Sequence, residues 1–343
     1  MALSSPTVSV SGTSAAEHGE TPTLATRVAF LSRPDSYPGH PPTVEAIETR
    51  LSWVFLTPER VWKLKKPVSY DHIDFGSPRA RHEDCRAEVR LNAVLAPGVY
   101  LGVEPITVGP GGGLVLGGEG RAIDYLVCMR RLPRALCLEH RIATGDLADA
   151  DIDGAATTLA RFYRGERPRG PVQPRALAAA IDSEAEELAR LPLGPGADVA
   201  ALQADLHRAL ARRAGSLAAR DRRDVHGDLR PQHVYLGERP MFLDRITVPA
   251  GLRLMDPVEE LAFFGLDCER LGAPGIGRRF LEVHAQVTGD RPPRAIVRFY
   301  RARRALLWAL LSARHLLRGG PERPWRETAR AYLELGRASL RVD

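Results

Sequence analysis

Lysine is almost missing from this chain: only Lys63, Lys65 and Lys66 occur, against 45 arginines in 343 residues. Cysteine is scarce as well. Cys85, Cys128, Cys137 and Cys268 stand far apart with no paired metal-ligand spacing, which excludes a zinc motif and reads as reduced thiols in a cytoplasmic protein. No run of 18 apolar residues exists, so no membrane-spanning helix is expected. The stretch before Arg27 has neither a basic start nor a continuous apolar core, and does not read as a secretory signal. No glycine-rich segment ends in Gly-Lys-Ser/Thr before a helix. The cluster Gly109 to Gly113 therefore reads as a hairpin loop between strands and not as a phosphate cradle. Aromatics are not interleaved with basic blocks. The net charge of +6 is then that of solvated arginine faces, and no nucleic-acid partner is expected.

What is present is unevenly distributed. A chain that writes arginine nearly everywhere else puts every lysine into one four-residue span. That argues for a need for an ammonium there, a compact charge on a flexible stem that suits nucleotide phosphates. The segment Thr43 to Leu56 alternates and predicts a strand. Thr57 to Arg60 is a turn, and Val61 to Val68 predicts a second strand. Alternation puts Val61, Lys63 and Lys65 on one face of it. Ser77-Pro78 predicts a helix start, with Ser77 as N-cap and Pro78 at the first helical position. The helix would run to about Leu95, burying Ala80, Cys85, Val89, Leu91 and Leu95 and carrying Glu88 near its middle, with Glu83 as the other acidic candidate. Tyr100 to Val108 and Ala122 to Met129 predict strands. From about Leu147 the periodicity is helical: Ala155 to Tyr163, Arg175 to Leu191, Ala200 to Ala219, Pro257 to Leu271 behind an Asp256 cap, Ile276 to Val287, Pro293 to Leu317 and Trp325 to Arg341. Residues 1–25, rich in Ser, Thr, Ala and Gly, read as a disordered tail.

One stretch breaks the helical run. Val225-His226-Gly227-Asp228-Leu229-Arg230-Pro231-Gln232-His233 leads into Val234 to Leu236, a turn at Glu238-Arg239, and Pro240 to Leu243, which ends in Asp244. Two short antiparallel strands would bring Asp244 back beside the loop that carries Asp228. Two carboxylates so disposed can divide the labour: one faces an incoming hydroxyl, the other holds a divalent cation on phosphate oxygens.

His-Gly-Asp followed by four residues and a polar side chain resembles the catalytic loop of the aminoglycoside phosphotransferase family, which shares the protein-kinase-like fold. The resemblance spans most of residues 43–320. It is nearest to a subgroup with a Val-x-Lys-x-Lys-Lys-Pro strand, some members of which carry an additional P-loop kinase domain for which no motif occurs here. It implies an α+β, two-lobed fold: a nucleotide-binding N-lobe over residues 26–131 and a mostly helical C-lobe over 132–343. It implies Asp228 as catalytic base, Arg230 as a cation near the transferred phosphate, Asp244 as metal ligand, and Lys63 (or Lys65) on the nucleotide phosphates, fixed by Glu88. Cys128, Met129 and Arg130 match the segment that meets adenine, and Asp256 or Glu260 would brace the loop. His233 occupies the position of the family's metal-binding Asn. Imidazole suits softer ions than Mg²⁺, so Mn²⁺ is the alternative metal. The implied activity is transfer of a phosphoryl group from ATP or GTP to a hydroxyl of a small molecule, with no membrane partner. The competing expectation, which His233 and the Arg245-Ile246 pair after Asp244 favour, is a pseudokinase that binds nucleotide as a sensor or scaffold. The sequence does not set the oligomeric state.

Overall fold

A computed structural model describes residues 22–70, 73–194, 196–317 and 322–341. Most of the expected tail lies outside them, and its last two residues already belong to helix α1, Leu24–Leu31. The first lobe is built on strands β1 Glu45–Glu48, β2 Ser52–Leu56 and β3 Arg60–Lys65, a small ribbon of β4 Ser69–Tyr70 and β5 Ile73–Asp74, helix α2 Pro78–Asn92, and strands β6 Tyr100–Val108, β7 Leu114–Leu116 and β8 Arg121–Arg130. Six of these strands form an antiparallel sheet in the order β1-β2-β3-β8-β6-β7.

Alternation divides that sheet cleanly. Phe55, Trp62, Leu64, Leu126 and Cys128 face α1, whose Phe30 and Leu31 cover them. Val127 and Met129, with Val61 beside them, face the other way, toward Cys85 of α2 and the following Ala96 and Val99. Lys63 and Lys65, in phase with Val61, share this second face.

Three details depart from the sequence expectation. The strand expected over Thr43 to Leu56 is a hairpin. Thr49 donates its backbone N–H to the Ser52 carbonyl at 2.8 Å, and its hydroxyl accepts from the Ser52 N–H at 3.0 Å. Such local side-chain bonding offers the backbone an alternative to the ladder. Helix α2 is capped by Ser77 as expected, accepting from the Ala80 N–H. Its buried stripe, however, is polar: Arg81, Asp84, Glu88 and Asn92, with Cys85 the one apolar member. Finally, the chain becomes helical earlier than expected, at α3 Leu138–Thr144, which Gly145 ends in the left-handed region at φ 73°.

The second lobe continues with α4 Asp149–Gly165, α5 Pro174–Ala189 and α6 Val199–Ala218. The short strands β9 Arg223–Asp224, β10 Val234–Tyr235, β11 Met241–Phe242 and β12 Leu254–Met255 follow, and then α7 Pro257–Arg270, α8 Pro274–Thr288, α9 Arg294–Ala313 and α10 Glu322–Arg341. Helix α7 is its axis. One side of it, Val258, Ala262, Phe263 and Leu266, packs with α5, α6, α9 and α10. The other, Leu261, Phe264 and Cys268, packs with α4, α8 and the residues around the β10–β11 ribbon. Each large side chain so buried is worth about 1.5–3 kcal/mol. Because α7 is held from both sides, its polar residues are fixed points for whatever loop reaches them.

Candidate active site

The loop 225–233 is suspended between β9 and α7. Strand β9 pairs with β12, and the Val225 N–H donates to the Arg253 carbonyl at 2.8 Å. Gly227 then turns at φ 93°, where an added Cβ would lie 3.0 Å from Arg253 Cγ and 3.2 Å from Ile246 Cδ1. Only glycine combines that backbone with that space. Of the two expected braces, Glu260 is the one that touches the loop. Its Oε1 accepts the Gly227 N–H at 2.5 Å; its Oε2 accepts the His226 N–H at 3.1 Å and the Tyr163 hydroxyl at 2.5 Å. Asp256 instead caps α7 through the Val258 N–H, pairs with Arg220 and accepts the Tyr300 hydroxyl.

His226 is buried and ties the loop to the ribbon. Its Nε2 lies 2.9 Å from the Leu243 carbonyl, so Nε2 carries the proton, and Nδ1 is left buried with no hydrogen-bond partner among the described residues. Burial pushes its pKa down to about 3. The ribbon β10–β11 is short, pairing Val234 with Phe242 and Tyr235 with Met241. It returns the chain to Asp244, which adopts the left-handed region at φ 63°, an uncommon conformation for a side chain other than glycine.

Asp244 is met there by the first lobe. Its N–H donates to the Tyr100 hydroxyl at 3.0 Å, and its Oδ1 lies 2.6 Å from Lys63 Nζ. The same ammonium is 3.0 Å from Glu88 Oε1 on α2. Lys65, the next lysine on that face, is 2.5 Å from Glu88 Oε2 and 2.5 Å from Asp84 Oδ2. Asn92, one turn after Glu88, donates to the Glu88 carbonyl and accepts from the Arg245 N–H at 2.8 Å. Burial favours the neutral acid at Glu88, but Lys63 and Lys65 outweigh it and hold the carboxyl below the usual range. Burial likewise disfavours a charged Lys63, and Asp244 with Glu88 reverses the balance, so the ammonium persists well above its ordinary range.

His233 stands between the two acids of the loop and ribbon. Its Nδ1 donates to the Asp228 carbonyl oxygen at 2.8 Å and is 3.8 Å from Asp228 Oδ2, while Nε2 lies 4.0 Å from Asp244 Oδ2. Asp228 Oδ1 is buried without a hydrogen-bond partner among the described residues. Among the described residues no three His, Cys, Asp or Glu side chains converge on one metal position. The donor set fits a cation that takes one or two protein ligands and completes its shell with phosphate oxygens and water, which is how Mg²⁺ is usually bound. Asp244 Oδ2 is the carboxylate oxygen that Lys63 does not engage.

Arg230 reaches into the helices of the second lobe. Its Nε donates to Asp267 of α7 at 3.1 Å and its guanidinium lies over the Trp308 ring of α9. Cys128, Met129 and Arg130 lie at the end of β8. Cys128 and Met129 have β3 on one edge and β6 on the other, and the Arg130 N–H donates to the Val99 carbonyl. Asp84, Asn92 and Tyr100 went unread in the sequence. A helix spacing of four polar residues is the ordinary mark of a solvated face, and only the lysine pair on β3 hinted that the face was buried.

No protein-family model matches the chain. It is 29% identical over 292 residues to uncharacterized proteins of Mycobacterium tuberculosis and Mycobacterium bovis, covering 82% of this chain and 57% of theirs. The chain thus spans little more than half the length of these curated relatives. Its structure matches those of known kinases over nearly the whole chain. For a choline/ethanolamine kinase family protein from Mesorhizobium loti the TM-score is 0.57 at 17% identity, over 93% of this chain and 96% of that one. For the choline kinase of Streptococcus pneumoniae it is 0.52 at 15% identity, over 87% and 92%. For a spectinomycin phosphotransferase bound to ADP and spectinomycin it is 0.51 at 13% identity, over 87% and 93%. The chain has the two-lobed, protein-kinase-like α+β fold of these small-molecule phosphotransferases.

Proposed function

We propose that the protein transfers the γ-phosphoryl group of ATP, or GTP, to a hydroxyl of a small molecule. The observation that carries this reading is the contact of Lys63 with both Glu88 and Asp244. It joins an ammonium of the β-rich lobe to the acid that follows the ribbon of the helical lobe. The region 26–131 would hold the nucleotide and 132–343 the acceptor. Phosphoryl transfer passes through a loose transition state, so positioning and charge neutralisation carry most of the catalysis. Asp228 would orient the acceptor hydroxyl and take its proton as the new P–O bond forms and the bond to the leaving nucleoside diphosphate breaks. Lys63 would leave Asp244 for the nucleotide phosphates while Glu88 keeps it on station. Asp244, with His233 beside it, would hold Mg²⁺ or Mn²⁺. When bound, the ion neutralises phosphate charge.

His233 supports a second reading. An imidazole stands between the two acids, with Nδ1 committed to a backbone carbonyl, where a hard oxygen ligand would suit Mg²⁺ better. A nucleotide-binding sensor without turnover is consistent with it. Incubation of wild type and Asp228→Asn with ATP, Mg²⁺ or Mn²⁺ and a metabolite pool separates the two. Transfer in the wild type that falls at least about a hundredfold in the variant is expected. Tight nucleotide binding with no transfer from the wild type would favour the sensor.

A further inference from the structure

Asp267 lies in the last turn of α7 and is wholly buried. Its Oδ2 accepts from Arg230 Nε at 3.1 Å, and its Oδ1 accepts from Arg270 Nε at 2.9 Å and from the Tyr332 hydroxyl of α10 at 2.8 Å. Above it is an aromatic wall. Trp308 stacks on Phe263 with centroids 4.8 Å apart, and the Arg230 guanidinium carbon sits 4.2 Å from the Trp308 centroid. An aromatic face beside a buried carboxylate is a general site for an ammonium. Here the chain fills that site with its own guanidinium. At Asp267 one carboxylate is shared by two arginines, and Asp228 is a further acid within electrostatic range of Arg230. The terminal Nη groups of Arg230 have no hydrogen-bond partner among the described residues and are not sealed from solvent. Arg230 is two residues past Asp228, whose carboxylate is near enough to favour the charged guanidinium.

We propose that Arg230, held by Asp267 and Trp308, is the acceptor-recognition group, and that it selects a hydroxylated acceptor bearing an anionic group, a carboxylate or a phosphate ester. This rests on the phosphotransferase reading above. A planar fork with free Nη donors matches the oxygens of either anion. An amino alcohol brought to the same place meets a guanidinium on the aromatic face and a carboxylate already shared by two arginines. The occupied cage is thus an element of rejection as well as attraction.

Two measurements on the full chain test this. The first is binding, by calorimetry with excess ADP and Mg²⁺ so that phosphate probes do not report the nucleotide site. The probes are hydroxy-carboxylates such as glycerate, phosphate esters such as glycerol phosphate, and ammonium alcohols such as choline. One anionic series should bind, and which one identifies the anion. Arg230→Ala should weaken it about 10- to 100-fold and should admit choline to the vacated cage. Arg230→Gln, which keeps a donor for Asp267, should weaken the anion equally if the alanine variant folds poorly. The second is phosphoryl transfer to the same panel, in which Arg230→Gln should raise KM for the anionic acceptor more than it lowers kcat. Choline binding the wild type more tightly than either anion, or anion affinity unchanged in both variants, overturns the assignment. Transfer to an amino alcohol in preference overturns it too, and leaves the phosphotransferase reading standing. Anion binding that needs Arg230, with no transfer to any acceptor, supports the assignment and counts against the phosphotransferase reading.

Discussion

Lys63 and Lys65 sit two residues apart on one face of β3 and differ in what their loss would leave behind. Lys63→Met removes the ammonium from Asp244, but Glu88 keeps Lys65 as a partner. Nucleotide turnover should fall by two orders of magnitude or more, while the urea midpoint changes little. Lys65→Met strands Asp84, which is buried and has no other cation among the described residues. Breaking such a pair from one side costs about 3–5 kcal/mol, so this variant should show its defect first in urea unfolding. His226 contributes a pH dependence of its own. Its folded-state pKa, near 3, lies below the ordinary 6.5 because burial disfavours the imidazolium. Below pH 6.5 the unfolded chain binds a proton that the folded chain refuses, so the stability it contributes is complete above that pH and is lost as pH falls toward 3. The slope approaches about 1.4 kcal/mol per pH unit for one group. Between pH 6.5 and 5, His226→Gln should flatten the curve; an unchanged slope would place the acid sensitivity elsewhere.

At the scale of elements, α2 and α7 do the positioning. Helix α2 presents Asp84, Glu88 and Asn92 on successive turns. The first two meet the lysines of β3, and the third holds the residue after Asp244. Its start at Ser77-Pro78 was legible, because a cap is a local device. Its polar stripe was legible only at Glu88, because burial of a polar face is decided by what packs on it. Helix α7 depends on the approach of α8: an added Cβ at Gly277 would lie 2.2 Å from the Gly265 Cα. Gly277→Ala should therefore push the helices apart and destabilise the protein by about 1–3 kcal/mol. Because Glu260 and Asp267 both ride on α7, KM for the acceptor should rise in that variant more than KM for nucleotide.

Across the whole molecule, the two lobes meet at Asp244, which is held by Lys63 and Tyr100 of the first and carried by the ribbon of the second. A nucleotide bound there with a metal, as proposed, would stabilise the folded state by about 2.7 kcal/mol at a hundredfold excess over its Kd. Thermal melts with ATP should thus rise, and rise further with Mg²⁺ or Mn²⁺ than with EDTA. Asp244→Asn should keep the first increment and lose the second. A metal-dependent increment that survives in Asp244→Asn would remove this residue from the ion.

The sequence by itself determined the local things: the capped start of α2, the apolar faces of the later helices, the alternation that set Lys63 and Lys65 on one side of β3, and the loop–ribbon unit from Val225 to Asp244. These follow from backbone periodicity and short-range bonding, which adjacent residues specify. The turn at Thr49 escaped because an alternating pattern does not reveal where a side chain will bond its own backbone. Only the tertiary structure decided that Glu260 and not Asp256 braces the loop, that Asp84 and Asn92 are interior, and that Arg230 lies on Trp308 over Asp267. Each of those outcomes depends on partners distant in the chain, from 19 residues for Lys65 and Asp84 to 153 for Asn92 and Arg245, brought together by packing that no local pattern encodes.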